Sequence, residues 1–244
     1  MKIGAIIQAR MGSSRLPGKV MKKLKGKTVL QHVIDRVKQS KMIDEIVIAT
    51  TVHERDDAIE NEALNCGVKV YKGNEEDVLS RYYYAAKENE IDIILRITSD
   101  CPLIDPFIMD SVITNYLKGD YDIVTNAGSD LSQRTFPRGL DIEIFSDDIL
   151  KKAFNNAKQT YQREHVTPYI YEHSEKIFYH KNDINYSNYR LTLDTEEDFE
   201  LITQIYNRLY KGKHDFYLNE LIELIIQEPA LYYINSQIKQ KKLK

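Results

Sequence analysis

The sequence has few cysteines, no tryptophan and no long hydrophobic run. Its two cysteines, Cys66 and Cys101, are too few for a disulfide framework and have no partner at the spacing of a zinc site. We therefore expect a reducing, cytoplasmic setting. No apolar stretch approaches the roughly 20 residues that span a bilayer, and the first residues lack the apolar core of a signal peptide. These absences predict a protein without a membrane partner.

The charge and the length bound the class of protein further. The 244 residues carry a formal net charge of −3, and because a general nucleic-acid-binding protein would be basic, we expect no nucleic-acid partner. This length suits one large α/β domain or one domain with a small appendage. We predict an α/β domain over residues 1–210 and a C-terminal helical extension over residues 211–244 that packs on it and ends in a basic tail at 239–244.

The first apolar run leads into a loop rich in charge. The run Lys2–Ile7 predicts a buried strand, and the loop over residues 8–19 carries three cations, Arg10, Arg15 and Lys19, with two serines and two glycines. Such a loop at the carboxyl end of the first strand of an α/β sheet can hold a polyphosphate, because its cations and backbone N–H groups face the anion. This pattern favours a nucleotide enzyme.

The loop lacks two known phosphate-binding patterns. A Walker A motif is excluded because five residues separate Gly12 from Gly18 and because Val20, not a hydroxyl residue, follows Lys19. The Gly-rich dinucleotide fingerprint is also absent. A basic surface loop that binds nothing therefore stays open as the alternative.

Strand-like and helix-like runs alternate along the chain, which predicts a parallel sheet with right-handed crossovers. After the first strand, the predicted strands cover residues 45–50, 68–71, 91–98, 121–125, 140–145, 176–179 and 190–193. The predicted helices cover residues 28–40, 56–66, 75–89, 106–117, 147–158, 162–173, 194–210 and 216–227.

Two aspartates follow predicted strands. Asp100 comes after the strand at 91–98, at the sheet edge where ligands bind, and a carboxylate that faces a triphosphate there is a natural Mg²⁺ ligand. Its alternative role is to cap the turn before Pro102. Asp194 follows a short apolar strand and can equally be the N-cap of the next helix. Together the two carboxylates can hold Mg²⁺ between a nucleotide α-phosphate and a nucleophile.

Two helix starts carry further candidate side chains. Arg81 lies one turn into its helix and can reach a base or ribose, or it can pair with Asp77 or Glu88. Arg163 and His165 concentrate polar groups at the start of another helix, and an acidic substrate would explain them. A surface or capping role for His165 is the alternative.

Six motifs, in order, resemble those of the acylneuraminate and 3-deoxy-manno-octulosonate cytidylyltransferases, most closely the spore coat polysaccharide biosynthesis branch. The first, at residues 8–19, is specific by itself, and the six together span residues 1 to about 210. The others lie at residues 76–82, 96–105, 134–143, 163–168 and 191–198.

The resemblance implies a Rossmann-like nucleotide-diphospho-sugar transferase fold, which has three α/β/α layers around a mostly parallel mixed sheet. It implies CTP as the donor, Mg²⁺ as the cofactor and an acidic, nonulosonic acid-like sugar as the acceptor, giving a CMP-sugar and pyrophosphate for surface polysaccharide. It makes Arg10, Lys19, Asp100 and Asp194 catalytic, with the two aspartates as the metal ligands. The nucleotide-binding residues that it implies are Ala9, Arg10, Gly12, Ser13, Ser14, Arg15, Lys19, Arg81 and Thr98. The acceptor-binding residues that it implies are Arg138, Asp141, Glu143, Arg163 and His165.

Other functions stay open from the residues alone. A nucleotidyltransferase of the same fold can use another base or a phosphorylated or phosphonate acceptor, and a non-catalytic protein can bind a nucleotide. A glycosyltransferase is disfavoured because the Asp-x-Asp pair at Asp120 and Asp122 precedes its strand, at the wrong end of the sheet. A homodimer and a monomer are both compatible with the tyrosine-rich C-terminal region.

Overall fold

The computed structural model describes residues 1–239, so all of the predicted basic tail except Lys239 lies outside the described residues. A seven-stranded mixed sheet lies at the centre, and a separate short hairpin forms from β2 and β3. The strands are β1 (Ile3–Gln8), β2 (Lys23–Leu24), β3 (Lys27–Thr28), β4 (Glu45–Thr51), β5 (Lys69–Gly73), β6 (Ile93–Thr98), β7 (Ile123–Thr125), β8 (Glu143–Ser146) and β9 (Ile177–Tyr179).

The sheet has the order β5-β4-β1-β6-β8-β7-β9. The pairs β5–β4, β4–β1, β1–β6 and β7–β9 are parallel, whereas β8 runs antiparallel to both β6 and β7. Because β5, β4, β1 and β6 are parallel neighbours, their carboxyl ends meet at one edge of the sheet. The expected mostly parallel mixed sheet is confirmed.

Helices cover both faces of the sheet. They are α1 (Val29–Val37), α2 (Asp57–Asn65), α3 (Val78–Glu88), α4 (Pro106–Lys118), α5 (Asp147–Asn156), α6 (Thr160–His165), α7 (Pro168–His173), α8 (Glu196–Leu209), α9 (Leu218–Gln227) and α10 (Ala230–Asn235). Along β1, Ala5 and Ile7 face one core with α1, α4, α8 and α9, whereas Ile6 faces a second core with α3, α5 and α7. These two cores make the three α/β/α layers that we expected.

One predicted strand is wrong. Residues 190–193 are irregular, with only an isolated parallel bridge between Arg190 and Arg138. Leu191 and Leu193 are buried as the pattern indicated, but their N–H groups bond to different segments, the carbonyls of Arg138 and Asp100 at 2.7 and 2.9 Å. A ladder does not form because the bonding partner changes within three residues.

The single helix predicted over residues 162–173 is divided into α6 and α7. Val166 has a φ of +72°, in the left-handed region, and Pro168 opens α7. Pro168 has no N–H to donate to the carbonyl four residues earlier, so the helical hydrogen bonds cannot continue through it. His165 consequently lies at the end of a helix instead of inside one.

The C-terminal residues share the main core. Phe216, with side chains of α9 and α10, belongs to the same buried cluster as α1 and α4. Arg36 donates to the Phe216 carbonyl at 3.1 Å, and Asp105 accepts from the N–H of Leu218 at 3.0 Å. The boundary after residue 210 stays a prediction. Within residues 1–239, no helix is both long and apolar enough to span a bilayer.

A buried histidine pair predicts a pH-dependent stability. His32 Nε2 lies 2.8 Å from the Leu24 carbonyl, which only accepts, so His32 Nδ1 accepts from His214 Nε2 at 2.7 Å. Burial lowers the pKa of His32 from 6.5 to about 4 and that of His214 to about 3. Since the folded pKa values lie below the unfolded ones, stability is complete above about pH 6.5 and is lost as pH falls. Denaturant unfolding is expected to show a loss of about 2 kcal/mol per histidine between pH 7 and about pH 5.

The control for this prediction is a histidine on the surface, His173. A double variant, His32→Gln with His214→Gln, is expected to lose most of this pH dependence, whereas a variant at the exposed His173 keeps it. The same pH dependence in the double variant as in the wild type would contradict the assignment to the buried pair.

Candidate active site

The carboxyl ends of β5, β4, β1 and β6 lie at one edge of the sheet, and polar residues follow these strand ends. β1 leads into residues 9–19, which we call the cradle, and β6 leads to Asp100. The cradle is compact, because the N–H groups of Ser13 and Gly18 both donate to the Met11 carbonyl, at 2.8 and 3.0 Å. Gly18 has a φ of +66°, and this left-handed turn starts the short helix that begins with Lys19.

Lys19 joins the two predicted aspartates. Its Nζ lies 2.7 Å from Oδ2 of Asp100 and 2.8 Å from Oδ1 of Asp194. Arg15 Nη2 lies 3.0 Å from the other oxygen of Asp194. Although Asp100 and Asp194 are far apart in the sequence, the structure brings them to one ammonium group.

The charges of Lys19, Asp100 and Asp194 stabilise one another. Burial alone would raise the pKa of Asp100, but the charge and the hydrogen bond of Lys19 outweigh it and lower the pKa to about 2. Burial alone would lower the pKa of Lys19, but the charges of Asp100 and Asp194 outweigh it and raise the pKa. At neutral pH Asp100 is therefore ionised and Lys19 is protonated.

The helix cap predicted at Asp194 lies one residue later. Thr195 is the N-cap of α8, where its side chain accepts from the N–H of Asp198, and Asp198 reaches back in a capping box. The Asp194 carboxylate is thereby released to face Lys19 and Arg15. Arg190 Nη2 adds a third cation, 3.1 Å from Asp194 Oδ2.

The sequence did not predict a cluster of ion pairs that includes Arg10 of the cradle. Glu75, after β5, pairs with Arg10 at 3.2 Å, with His53 Nε2 at 3.0 Å and with Arg55. The helical turn that carries Arg55 follows β4, so two further strand ends contribute to this edge. Arg55 follows a predicted strand by a few residues, and this position is the sequence feature that could have indicated its role. Glu75 lies within a predicted helix, and only the fold shows its partners.

The remaining cradle residues have separate environments. Ala9 is buried, and its N–H donates to the Ala49 carbonyl at 3.2 Å. Gly12 leaves room for Glu75, whose Oε1 would lie 2.8 Å from a Cβ added at this glycine. The Ser13 hydroxyl accepts from a backbone N–H at 3.4 Å, and Ser14 is exposed.

Arg81 is a buried cation without the acidic partner considered above. It is 1% exposed, and its Nε and Nη1 atoms have no hydrogen-bond partner among residues 1–239. Burial lowers its pKa, and the Arg10 charge lowers it further. Asp77 pairs with Arg163 instead. Thr98 ends β6, and its hydroxyl lies 3.2 Å from Cys101 Sγ.

Two of the acceptor-side residues lie close to the aspartates. The Arg138 carbonyl accepts from the N–H of Leu191 at 2.7 Å, which places Arg138 beside the segment that carries Asp194. The Arg138 side chain has no hydrogen-bond or ion-pair partner in the described part of the chain. Asp141 pairs with Arg134 at 2.6 Å, and its charge contributes to raising the pKa of the buried Cys101 thiol, after burial and Asp100.

The other three acceptor-side residues have structural partners. Glu143 on β8 pairs with Arg96 and accepts from the hydroxyls of Thr167 and Tyr171, at 3.0 and 2.6 Å. Arg163 binds Asp77 through two nitrogens and donates to the Phe154 carbonyl at 2.7 Å. The ion pair of Arg163 is with Asp77, outside the cradle, and the acceptor roles of Arg163 and His165 stay predictions.

The two aspartates fit a magnesium site completed by substrate. Within residues 1–239, no group of three or more His, Cys, Asp or Glu side chains converges on one point. Mg²⁺ is commonly held by one or two carboxylates together with phosphate oxygens and waters. Asp100 and Asp194, which lie on either side of the Lys19 ammonium group in the cradle, match the protein part of that donor set.

Gly139 allows the backbone of Leu191 to approach closely and provides a stability test. Its φ is +96°, and a Cβ at this position would lie 2.4 Å from the carbonyl carbon of Leu191. Gly139→Ala is therefore expected to lower the free energy of unfolding by about 3 kcal/mol or more, because it adds both dihedral strain and a backbone clash. Denaturant unfolding measures the loss.

Gly212→Ala is the matched control. Gly212 has a similar φ of +93°, but nothing lies within 4 Å of its added Cβ. This variant is expected to cost about 1 kcal/mol from dihedral strain alone. Equal losses in the two variants would mean that the contact with Leu191 relaxes without cost.

Known proteins resemble this chain over most of its length. A family model described as cytidylyltransferase matches residues 4–238. The spore coat polysaccharide biosynthesis protein SpsF of Bacillus subtilis is 34% identical over 235 residues, 92% of this chain and 94% of that protein. The 8-amino-3,8-dideoxy-manno-octulosonate cytidylyltransferase of Shewanella frigidimarina is 27% identical over 213 residues, 84% of this chain and 85% of that enzyme.

A solved structure agrees with the fold over the full length. A cytidylyltransferase from Leptospira borgpetersenii aligns with a TM-score of 0.89 at 39% identity, covering 99% of this chain and 100% of that one. Residues 211–238 are therefore included in the family match.

Proposed function

The chain belongs to the cytidylyltransferase family, and from this membership we propose that its site couples CTP to an acidic sugar and releases pyrophosphate. The family membership makes it a CTP-dependent nucleotidyltransferase. An acidic, nonulosonic acid-like acceptor and a product for surface polysaccharide are the proposed part. Two relatives support them, since one carries an octulosonate in its name and the other spore coat polysaccharide synthesis.

The observation that carries the proposal is the ion cluster of Lys19 with Asp100 and Asp194. It lies at the carboxyl edge of parallel strands, directly beside a loop with three cations. This edge is where open α/β sheets bind their ligands. A cationic loop next to paired carboxylates provides for a polyanion and for a divalent cation at the same place.

The proposed reaction is a nucleotidyl transfer. The anomeric hydroxyl oxygen of the sugar forms a bond to the α-phosphorus of CTP, and the bond from that phosphorus to the oxygen bridging to the β-phosphate breaks. Pyrophosphate leaves with the bonding electrons, and the hydroxyl proton passes to water. Such chemistry asks the protein mainly for positioning and charge neutralisation.

The cradle cations perform that neutralisation in the proposal. CTP carries about four negative charges near neutral pH, which would repel an acidic acceptor. Arg10, Arg15 and Lys19 offset that repulsion and hold the triphosphate. Asp100 and Asp194 would hold Mg²⁺, which supplies further charge neutralisation and polarises a phosphate oxygen when it is bound.

Residues around the cradle complete the proposed substrate sites. Arg81, a buried guanidinium with two unpartnered nitrogens, is proposed to contact the nucleotide, because a ligand acceptor there would satisfy them. Arg138 is proposed to face the acidic group of the sugar, since its backbone bonds to the segment that carries Asp194 and its side chain has no hydrogen-bond or ion-pair partner among the described residues.

A pyrophosphate-release panel tests the proposal. CTP, UTP, GTP and ATP are each combined with a set of acidic sugars, phosphorylated sugars and neutral sugars, with and without Mg²⁺. We expect release only with CTP, an acidic sugar and Mg²⁺ together. Release with another nucleotide would overturn the assignment of CTP as the donor, and release only with a phosphorylated sugar would overturn the acidic acceptor. CTP binding without release under any condition would indicate a non-catalytic nucleotide-binding protein.

A further inference from the structure

The segment that carries Asp194 has little regular structure of its own. Residues 191–194 are irregular, and their backbone is tied to the sheet edge by the N–H groups of Leu191 and Leu193. A carboxylate on such a segment needs other contacts to keep its position. Those contacts come from side chains on either side of it.

Arg190 and Asp198 form a clamp around this segment. Arg190 donates through Nε and Nη2 to the two oxygens of Asp198, both at 2.8 Å, and through Nη2 to Asp194 at 3.1 Å. Asp198 Oδ2 also accepts from the N–H groups of Asp194 and Thr195, at 3.0 and 3.1 Å. Asp198 therefore bonds to the side chain of Arg190 before the segment and to the backbone of Asp194 and Thr195 at its end. Asp198 is fully buried.

The C-terminal helix closes the clamp. Asn235, the last residue of α10, is 3% exposed, and its amide group donates to Asp198 Oδ1 at 2.8 Å and to the Arg190 carbonyl at 3.0 Å. Both hydrogens of one side-chain amide are therefore used to tie Asp198 to the backbone of Arg190. α10 packs against α8, which carries Asp198.

We infer that Asn235 is a positioning residue for Asp194 that acts through Asp198 and Arg190, an inference that rests on the proposed role of Asp194 in holding a divalent cation. Asn235 does not touch Asp194 or the cradle. It orients the two groups that set the position of the Asp194 backbone and carboxylate. Groups behind a metal ligand commonly change metal affinity or activity by about 10–100-fold when they are replaced.

This assignment gives the C-terminal extension a part in the chemistry of the site. Asn235 lies beyond residue 210, outside the motifs that resemble the cytidylyltransferases, and no spacing in the sequence connects it with Asp194. The connection exists because α8 runs back from Asp194 and α10 lies along it.

The test measures cation binding directly and does not require the acceptor sugar. Mn²⁺ is titrated into the full chain in the presence of CTP, and free Mn²⁺ is followed by electron paramagnetic resonance. Asn235→Ala is expected to weaken Mn²⁺ binding by about tenfold. Leu231→Ala is the matched control, because Leu231 is an equally buried residue of α10 outside the clamp, and we expect its Mn²⁺ affinity to stay within about twofold of the wild type.

A third variant separates this inference from the proposed function. Asp194→Asn with the same Mn²⁺ affinity as the wild type would overturn the role of Asp194 itself. A clear loss in Asp194→Asn with an unchanged affinity in Asn235→Ala would overturn the role of Asn235 alone. Equal losses in Asn235→Ala and Leu231→Ala would also overturn it, because they would reflect only the general packing of α10. If Asn235→Ala does not fold, Asn235→Thr, which keeps one donor, carries the same test and is expected to show a smaller loss.

Discussion

Replacing Asp100 with asparagine is expected to lower turnover by at least about 100-fold, which corresponds to about 2.7 kcal/mol of lost transition-state stabilisation. The substitution keeps the size and shape of the side chain but removes the charge that Lys19 holds at 2.7 Å. Only Asp194 would then remain to hold a divalent cation in the cluster. Pyrophosphate release at saturating CTP and Mg²⁺ measures the change.

Asp120→Asn is the matched control for this prediction. Asp120 is exposed, pairs with Lys176 at 2.6 Å and precedes β7, so the same change of charge is made away from the site. Its turnover is expected to equal that of the wild type. Near-wild-type turnover in Asp100→Asn would remove Asp100 from the mechanism.

Lys19→Ala is expected mainly to weaken CTP binding, by about 30-fold or about 2 kcal/mol. The variant removes a cation of the cradle and also leaves the carboxylates of Asp100 and Asp194 near each other without the ammonium group between them. Both changes make the site more negative where a polyanion must bind. Calorimetric titration with CTP in the presence of Mg²⁺ measures the affinity.

The neighbouring lysine makes a close control. Lys22 pairs with Glu196 at 3.2 Å and lies three residues away, so Lys22→Ala removes one positive charge from the same face without changing the cluster. Its CTP affinity is expected to change by less than about threefold, since exposed charges are screened. An unchanged affinity in Lys19→Ala would contradict a role for Lys19 in nucleotide binding.

Local patterns in the sequence predicted most elements of the fold. Alternating apolar runs indicated the parallel sheet, and Thr28 caps α1 as its position suggested, accepting from the N–H of Gln31 at 3.0 Å. The strand predicted over 140–145 begins only at Glu143, because the Asn126 side chain bonds to Leu140 and Ile142 in place of a neighbouring strand. A distant side chain of this kind is not visible in any local window.

The same limit applies to the candidate site. Asp100 and Asp194 stand out as carboxylates that follow apolar runs, but the pattern also left a capping role open for each of them. The structure adds contacts over long sequence separations, such as those of Lys19 with both aspartates, and the metal-binding role stays a prediction. Glu75 as the partner of Arg10, Arg55 and His53 followed only from the positions of the strand ends.

The sequence by itself determined which residue types follow each buried strand, and hence that cations and carboxylates gather at the carboxyl edge of the sheet. The tertiary structure decided which of them meet: Lys19 with its two aspartates, Arg163 with Asp77, and Asn235 with the Arg190–Asp198 clamp. The physical reason is the separation along the chain over which the two kinds of interaction act. Strand and helix formation depends on neighbours a few residues away, whereas the partner of a buried charge is set by strand order and helix packing, which bring together residues far apart in the chain.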